Sequence, residues 1–254
     1  MKTMYSVSLS AAAAVLLAFS APAQASRMDV FIISSARQSY VFQNYLTGDD
    51  IKIESRDGAV TLTGIINESF HKSLAEVTLA DIAGVRSVDN RLEVKGAPPT
   101  ANSDAWFQEK VKATLLFHRS VSAKNTEVDV KDGIVTLRGR ATSLAQKDLT
   151  SEYARDVEGV KEVKNEMLVA VPVEKEARTT KEKIDDVSVA ALVRMALLLH
   201  HSTNALYTTV AVRRGVVTVG GRAATEAQKA LVTRLVKDVN GVKKVKNLMT
   251  VEAS

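Results

Sequence analysis

The chain contains no cysteine. That absence excludes disulfides, thiolate metal sites, a thiol nucleophile, thioether-linked haem and a cysteine to carry a lipid anchor. Aromatic residues make up only 5%, with one tryptophan, Trp106, so a nucleic-acid strand would find few stacking platforms. Past the first 25 residues, no apolar run is long enough to cross about 30 Å of hydrocarbon as a helix. Neither a G-x-S-x-G elbow nor a G-x-x-x-x-G-K phosphate loop occurs. Gly220-Gly221 follows an apolar stretch without forming a dinucleotide fingerprint. The four histidines, His71, His118, His200 and His201, show no metal-binding or triad spacing. Together these gaps point to a protein that binds without a cofactor or metal and does not catalyse.

What is present begins with an export pattern. Lys2 supplies a positive start, residues 9–19 (LSAAAAVLLAF) form a short apolar run, and Ala23-Gln24-Ala25 has the small-x-small form of a cleavage site. Residues 1–25 are expected to be a signal peptide cut after Ala25, leaving Ser26 first in a soluble, periplasmic mature chain. A periplasm also suits an exported protein without a disulfide framework.

The rest repeats itself. DGAVTLTG (57–64), DGIVTLRG (132–139) and RGVVTVGG (214–221) are three versions of one phrase. GVRSVDNRLEV (84–94), GVKEVKNEMLV (159–169) and GVKKVKNLMTV (241–251) are another, at the same distance after the first. Asp29, Asp104 and Asp186 stand equally far before the first glycine of each copy, so the register holds without a gap. Self-similarity at this length means tandem modules. They are read as residues 27–95, 103–171 and 184–252. Residues 95–102, with Gly96, Pro98 and Pro99, form one linker; the charged residues 172–183 form a second, expected to be the more mobile.

Each module reads as αββαβ. An aspartate is the expected N-cap of an opening helix, on which Phe107, Val111 and Leu115, or Val189, Val193 and Leu197, recur at helical spacing. The turns Asp57-Gly58, Asp132-Gly133 and Arg214-Gly215 suit a two-residue hairpin loop that needs positive φ. A return strand alternates apolar residues, a second helix stops at Gly84, Gly159 or Gly241 as a C-cap, and a last strand follows. The predicted fold is α+β: three modules, each a three-stranded mixed sheet covered by two helices. A module of about 65 residues has a marginal core by itself, so neighbours are expected to pack together.

This pattern resembles the BON (bacterial OsmY and nodulation) family, through the DG-hydrophobic-V-T-hydrophobic-x-G hairpin and the G-V-x-x-V-x-N strand entry. The motif glycines are Gly58, Gly64, Gly84, Gly133, Gly139, Gly159, Gly215, Gly221 and Gly241. Module one departs in its opening helix, around Ser39-Tyr40 to Tyr45, and module three has Arg214 in place of the turn aspartate. The resemblance implies a non-enzymatic periplasmic envelope protein linked to osmotic stress and phospholipid surfaces, with chaperone-like activity in one branch.

The charges refine that expectation. Residues 27–95 carry 8 basic and 10 acidic residues, residues 103–171 carry 11 of each, and residues 182–254 carry 11 and 6. The excess therefore sits in module three, and Arg213, Arg214, Arg222, Lys243, Lys244 and Lys246 are candidate contacts for an anionic phospholipid surface. Trp106 reads either as packing against another module or as an interfacial anchor. Exposed apolar patches or sheet edges that bind unfolded or partner proteins, as in a chaperone or scaffold, are the alternative. His118 and His200 are read as meeting helix-terminal carbonyls, and Asn90, Asn165 and Asn247 as tying local backbone.

Overall fold

A computed structural model of the protein describes residues 26–169, 184–203 and 208–251. Residues 1–25, read above as a leader, and the whole of the second linker (172–183) lie outside the described residues. Module one comprises α1 (Arg27–Gln38), α2 (Tyr40–Asn44), β1 (Asp50–Arg56), β2 (Ala59–Ile66), α3 (Ser69–Ala80) and β3 (Ser87–Val94). Module two comprises α4 (Asp104–Phe117), β4 (Thr126–Lys131), β5 (Ile134–Ala141), α5 (Leu144–Arg155), β6 (Glu162–Asn165) and β7 (Leu168–Val169). Module three comprises α6 (Asp186–Leu199), β8 (Thr208–Arg213), β9 (Val216–Ala223), α7 (Glu226–Asp238), β10 (Lys244–Asn247) and β11 (Thr250–Val251).

Each sheet is mixed, as the α+β reading required. The first two strands form an antiparallel hairpin, and the last element runs parallel to the central strand. In modules two and three that last strand is broken after Asn165 and Asn247 into two short pieces, each still paired with the central strand.

The hairpin turns have positive φ at both central residues: 52° and 80° at Asp57-Gly58, 56° and 78° at Asp132-Gly133, 53° and 77° at Arg214-Gly215. This backbone twist matches that of the flanking strands. Arg214 takes the left-handed conformation although it lacks an Asx side chain to favour it. A carboxylate holds it there. The N–H groups of Arg214 and Gly215 both donate to Asp186, as those of the other two turns donate to Asp104 and Asp29.

These three aspartates are therefore not the expected N-caps. Ser26, Ser103 and Asp185 cap the opening helices. The repeated aspartates lie inside the first turn, where their side chains reach across to the hairpin. Gly84, Gly159 and Gly241 likewise lie two or three residues beyond the C-caps Asp81, Asp156 and Val239. They let the opening helix approach: a Cβ on Gly159 would sit 2.4 Å from the Phe107 ring, and one on Gly241 2.6 Å from Val189.

Helices face inward and sheets outward. α6 is the hub, packing on α3 of module one, α4 of module two and α7 of its own module. Nine of its 14 residues are buried, which suits a helix that is apolar nearly all round. One continuous core runs through all three modules, answering the shortage of core in any one of them.

Modules two and three meet about an approximate two-fold axis. His118 bridges to Val239 and His200 to Val157, both antiparallel, and each residue is shifted by 82 from its counterpart. The N–H of Arg119 donates to the Asp238 carbonyl at 3.0 Å, and that of His201 to the Asp156 carbonyl at 3.3 Å. The two C-cap histidines face carboxylates of the neighbouring module rather than the carbonyls of their own helices. His200 Nε2 lies 3.0 Å from Asp156 Oδ2, and His118 Nδ1 3.5 Å from Asp238 Oδ2. Burial, the largest single influence, would raise both carboxyls, but the groups facing them together outweigh it and hold them below the ordinary range: His200, His201 and Arg234 at Asp156, and His118, Ser120 and Tyr153 at Asp238. Module one attaches differently. The N–H groups of Tyr40 and Val41, opening α2, donate to Asp185 and Ser188 of module three. Ser69, opening α3, donates to Glu109 of module two.

Candidate basic face of module three

On the inner side of the third sheet, Val217 and Val219 are fully buried under the helices. The alternate residues of β9, Val216 and Thr218, therefore face outward. Register places Arg213 and Lys244 on either side of Val216, and Ala211 and Lys246 on either side of Thr218. Arg213, Lys244 and Lys246 are exposed. Arg213 and Lys246, with Arg214 from the turn, border a shallow depression of about 360 Å³ floored by Val216 and Thr218. Lys243 belongs to the same end of the sheet, its aliphatic stem lying against Gly215. Five of the six basic candidates thus come together at one end of the face.

Arg222 does not join them. It pairs with Thr250 near the far end of β9, about 20 Å from Val216 at 3.3 Å per residue. Trp106 lies on α4 of module two, half-buried, with the Lys110 ammonium 3.7 Å from its ring centroid. Burial lowers the Lys110 pKa. Trp106 thus contributes a cation–π contact within its own helix and is not part of the basic face.

The corresponding faces of the other modules carry acids among their bases and show no basic excess. In module two Glu127, Asp129, Glu162 and Glu166 stand among Lys131, Arg138, Arg140 and Lys164, and Arg138 pairs with Glu166 at 2.9 Å. In module one Asp50, Glu54, Asp89 and Glu93 outnumber Lys52, Arg56 and Arg91 by one, with Arg91 on Asp89 at 2.6 Å. In module three the four positions occupied by acids in module two hold Thr209, Ala211, Lys244 and Leu248. No acidic residue remains among the described outward positions of that sheet. The charge count shows the excess as a loss of acids rather than a gain of bases, and strand register places that loss on the outer face of the sheet.

The motif glycines are accounted for within the protein. A Cβ on Gly58 would meet the Gly84 carbonyl at 2.4 Å, and one on Gly64 the Asp50 carbonyl at 1.9 Å. The asparagines do what was expected. Asn247 donates to the Lys229 carbonyl and Thr233 and accepts from the N–H of Met249; Asn165 and Asn90 make the equivalent contacts. Among the described residues no group of three or more histidine and carboxylate side chains could hold a metal ion. Nor is any described helix long and apolar enough to cross a membrane.

A two-layer αββαβ module present three times defines the class, and comparison with known families agrees. The BON domain profile matches residues 30–96, 103–171 and 185–253. The chain belongs to the BON domain family. It is 29% identical over 143 residues to the osmotically-inducible protein Y of Escherichia coli (strain K12), spanning 55% of this chain and 71% of that one. To the outer membrane lipoprotein DolP of Haemophilus influenzae it is 30% identical over 111 residues, spanning 43% of this chain and 57% of the lipoprotein. Among solved structures, CdsD, a structural protein of the type III secretion system of Chlamydia trachomatis, aligns with 88% of this chain and 93% of its own. Its identity of 16% and TM-score of 0.24 carry no functional argument.

Proposed function

We propose that the protein is an exported envelope protein of the osmotic-stress response, acting by binding rather than catalysis. In this reading it docks reversibly on anionic phospholipid through the outer face of the module-three sheet. The observation that carries the reading is the clustering of Arg213, Arg214, Lys243, Lys244 and Lys246 on a face with no acid, while neither sister face has a basic excess. A basic residue at an anionic membrane surface contributes about 1 kcal/mol. The five together supply on the order of 5 kcal/mol, enough for reversible attachment and open to screening by salt. Leu248, 67% exposed beside Lys246, adds an apolar contact at the same surface. The relatives' names, one osmotically inducible and one of the outer membrane, support the setting, and the leader supports a periplasmic location after cleavage at Ala25.

Co-sedimentation with vesicles tests it. Binding should rise with the fraction of anionic lipid and fall with salt, and the triple charge reversal R213E/K244E/K246E should abolish it while circular dichroism stays unchanged. Binding indifferent to lipid charge would overturn the proposal.

The second reading, a chaperone or scaffold, draws on Met28, Val30 and Phe31, which lie about half exposed on α1. It requires suppression of aggregation of an unfolded exported protein at stoichiometric amounts, lost in the triple variant V30S/F31S/M28S.

A further inference from the structure

We propose that the cleft where the three modules meet is a binding site for one carboxylate-bearing sugar unit. The cleft holds about 300 Å³, at the small end of the range for ligand sites, which favour domain junctions. Module one contributes Tyr40, Asn44 and Tyr45, module two the stretch from Leu115 to Lys124, and module three Asn240.

The cleft exists because module one departs from its sisters. α4 and α6 each run unbroken for 14 residues, whereas the equivalent helix of module one stops at Gln38. Ser39 caps a new short helix, α2, in a changed direction. That break swings Tyr40 and Tyr45 over module two, where Tyr45 packs on Phe117. The one region of module one that fails to match the repeat is therefore the region that lines the cleft.

The lining selects a chemical class. The rings of Tyr40 and Tyr45 meet edge to face with centroids 5.9 Å apart; the negative face of such a ring attracts the C–H groups of a sugar. Asn44 uses its amide nitrogen on the Tyr40 carbonyl, and Asn240 uses its own on the Tyr45 hydroxyl and the Leu116 carbonyl. Both side-chain carbonyl oxygens remain as acceptors, the groups that sugar hydroxyls need. Arg119 is committed to the protein, donating to the Val242 and Lys237 carbonyls at 3.1 and 2.7 Å, so it fixes the wall. Lys124 is exposed and engaged in no ion pair or side-chain hydrogen bond among the described residues, leaving its ammonium for an anion. No aspartate or glutamate lines the cleft. His118, 3% exposed, also lines the cleft, its Nδ1 facing Asp238 at 3.5 Å and so directed to the protein. A neutral sugar would leave Lys124 unused, and a bare anion would leave the rings and amides unused.

The test is titration of the ¹⁵N-labelled mature chain with D-glucuronate and, separately, D-glucose, followed by amide shifts. Glucuronate should move resonances of residues 40–45, 122–124 and 240, and bind at least tenfold more tightly than glucose. Lys124→Gln should weaken glucuronate at least tenfold and Lys124→Arg should restore most of it, while the R213E/K244E/K246E variant binds it unchanged. The site is refuted by an absence of shifts at tens of millimolar glucuronate, by equal affinity for glucose, by shifts confined elsewhere, or by indifference to Lys124→Gln.

Discussion

At the scale of single residues, the strongest local device is the aspartate that opens each module. Asp29 accepts five hydrogen bonds: from the N–H and hydroxyl of Ser26, the hydroxyl of Ser55, and the N–H groups of Asp57 and Gly58. These donors, Ser26 foremost, hold its carboxyl far below the ordinary value of 3.8. A carboxyl depressed on folding contributes stability that is fully present above its unfolded pKa and is lost as pH falls towards the folded value. Asp29→Asn should therefore lower the urea midpoint clearly at pH 7, and the gap from the native chain should shrink steadily below pH 3.8. A gap that stays constant with pH would mean that the charge is irrelevant. Asp104, whose carboxyl is lowered chiefly by the N–H of Asp132, should behave in the same direction with fewer donors at stake. The sequence shows these aspartates by their repeat but suggests a helix cap. What it conceals is that a serine, or Asp185, fills that role nearby, because the choice depends on which carboxylate can reach a turn 28 residues away.

At the scale of elements, the closing strand and the second helix are tied by the repeated asparagine. Asn247 satisfies the Lys229 carbonyl and Thr233 on α7 and the Met249 N–H on its own strand. Its loss leaves buried polar groups without partners, at about 1–3 kcal/mol. Asn247→Ala should cost about that much in urea unfolding, and Asn90→Ala a similar amount; a loss under about 0.5 kcal/mol would show that water replaces the amide. Gly159→Ala should destabilise too, since the new methyl would press on Phe107 at 2.4 Å with φ at 89°. Hairpins and helices were legible in the sequence because turn residues and apolar periodicity act within a few residues. The break at Ser39 was visible only as a departure. Its direction depends on Asp185 and Ser188, some 145 residues later, which receive the first N–H groups of α2.

At the scale of the whole molecule, three modules share one core around α6, so they should unfold together. Trp106 reports on module two alone, whereas far-ultraviolet dichroism reports on all three. Their urea transitions should coincide; separate midpoints would show that the modules are independent. The same assembly turns the three sheets outward, and there the copies differ. Packing between modules could not be read from a single repeat, although the equal shift of His118 to His200 and of Asp156 to Asp238 carried a trace of the two-fold pairing. The basic residues were legible as a count. Their convergence, the separation of Arg222 and the placing of the lost acids on one sheet face became visible only with strand register. The central claim is that one sheet of the three meets the membrane. Hydrogen–deuterium exchange of residues 26–254 with and without vesicles containing anionic lipid tests it most directly. The account predicts protection of the turn at Arg214-Gly215 and of β8 and β10, with β1, β3, β4 and β6 unchanged. Equal protection of all three sheets, or protection confined to α1 or to the helix bearing Trp106, would contradict it.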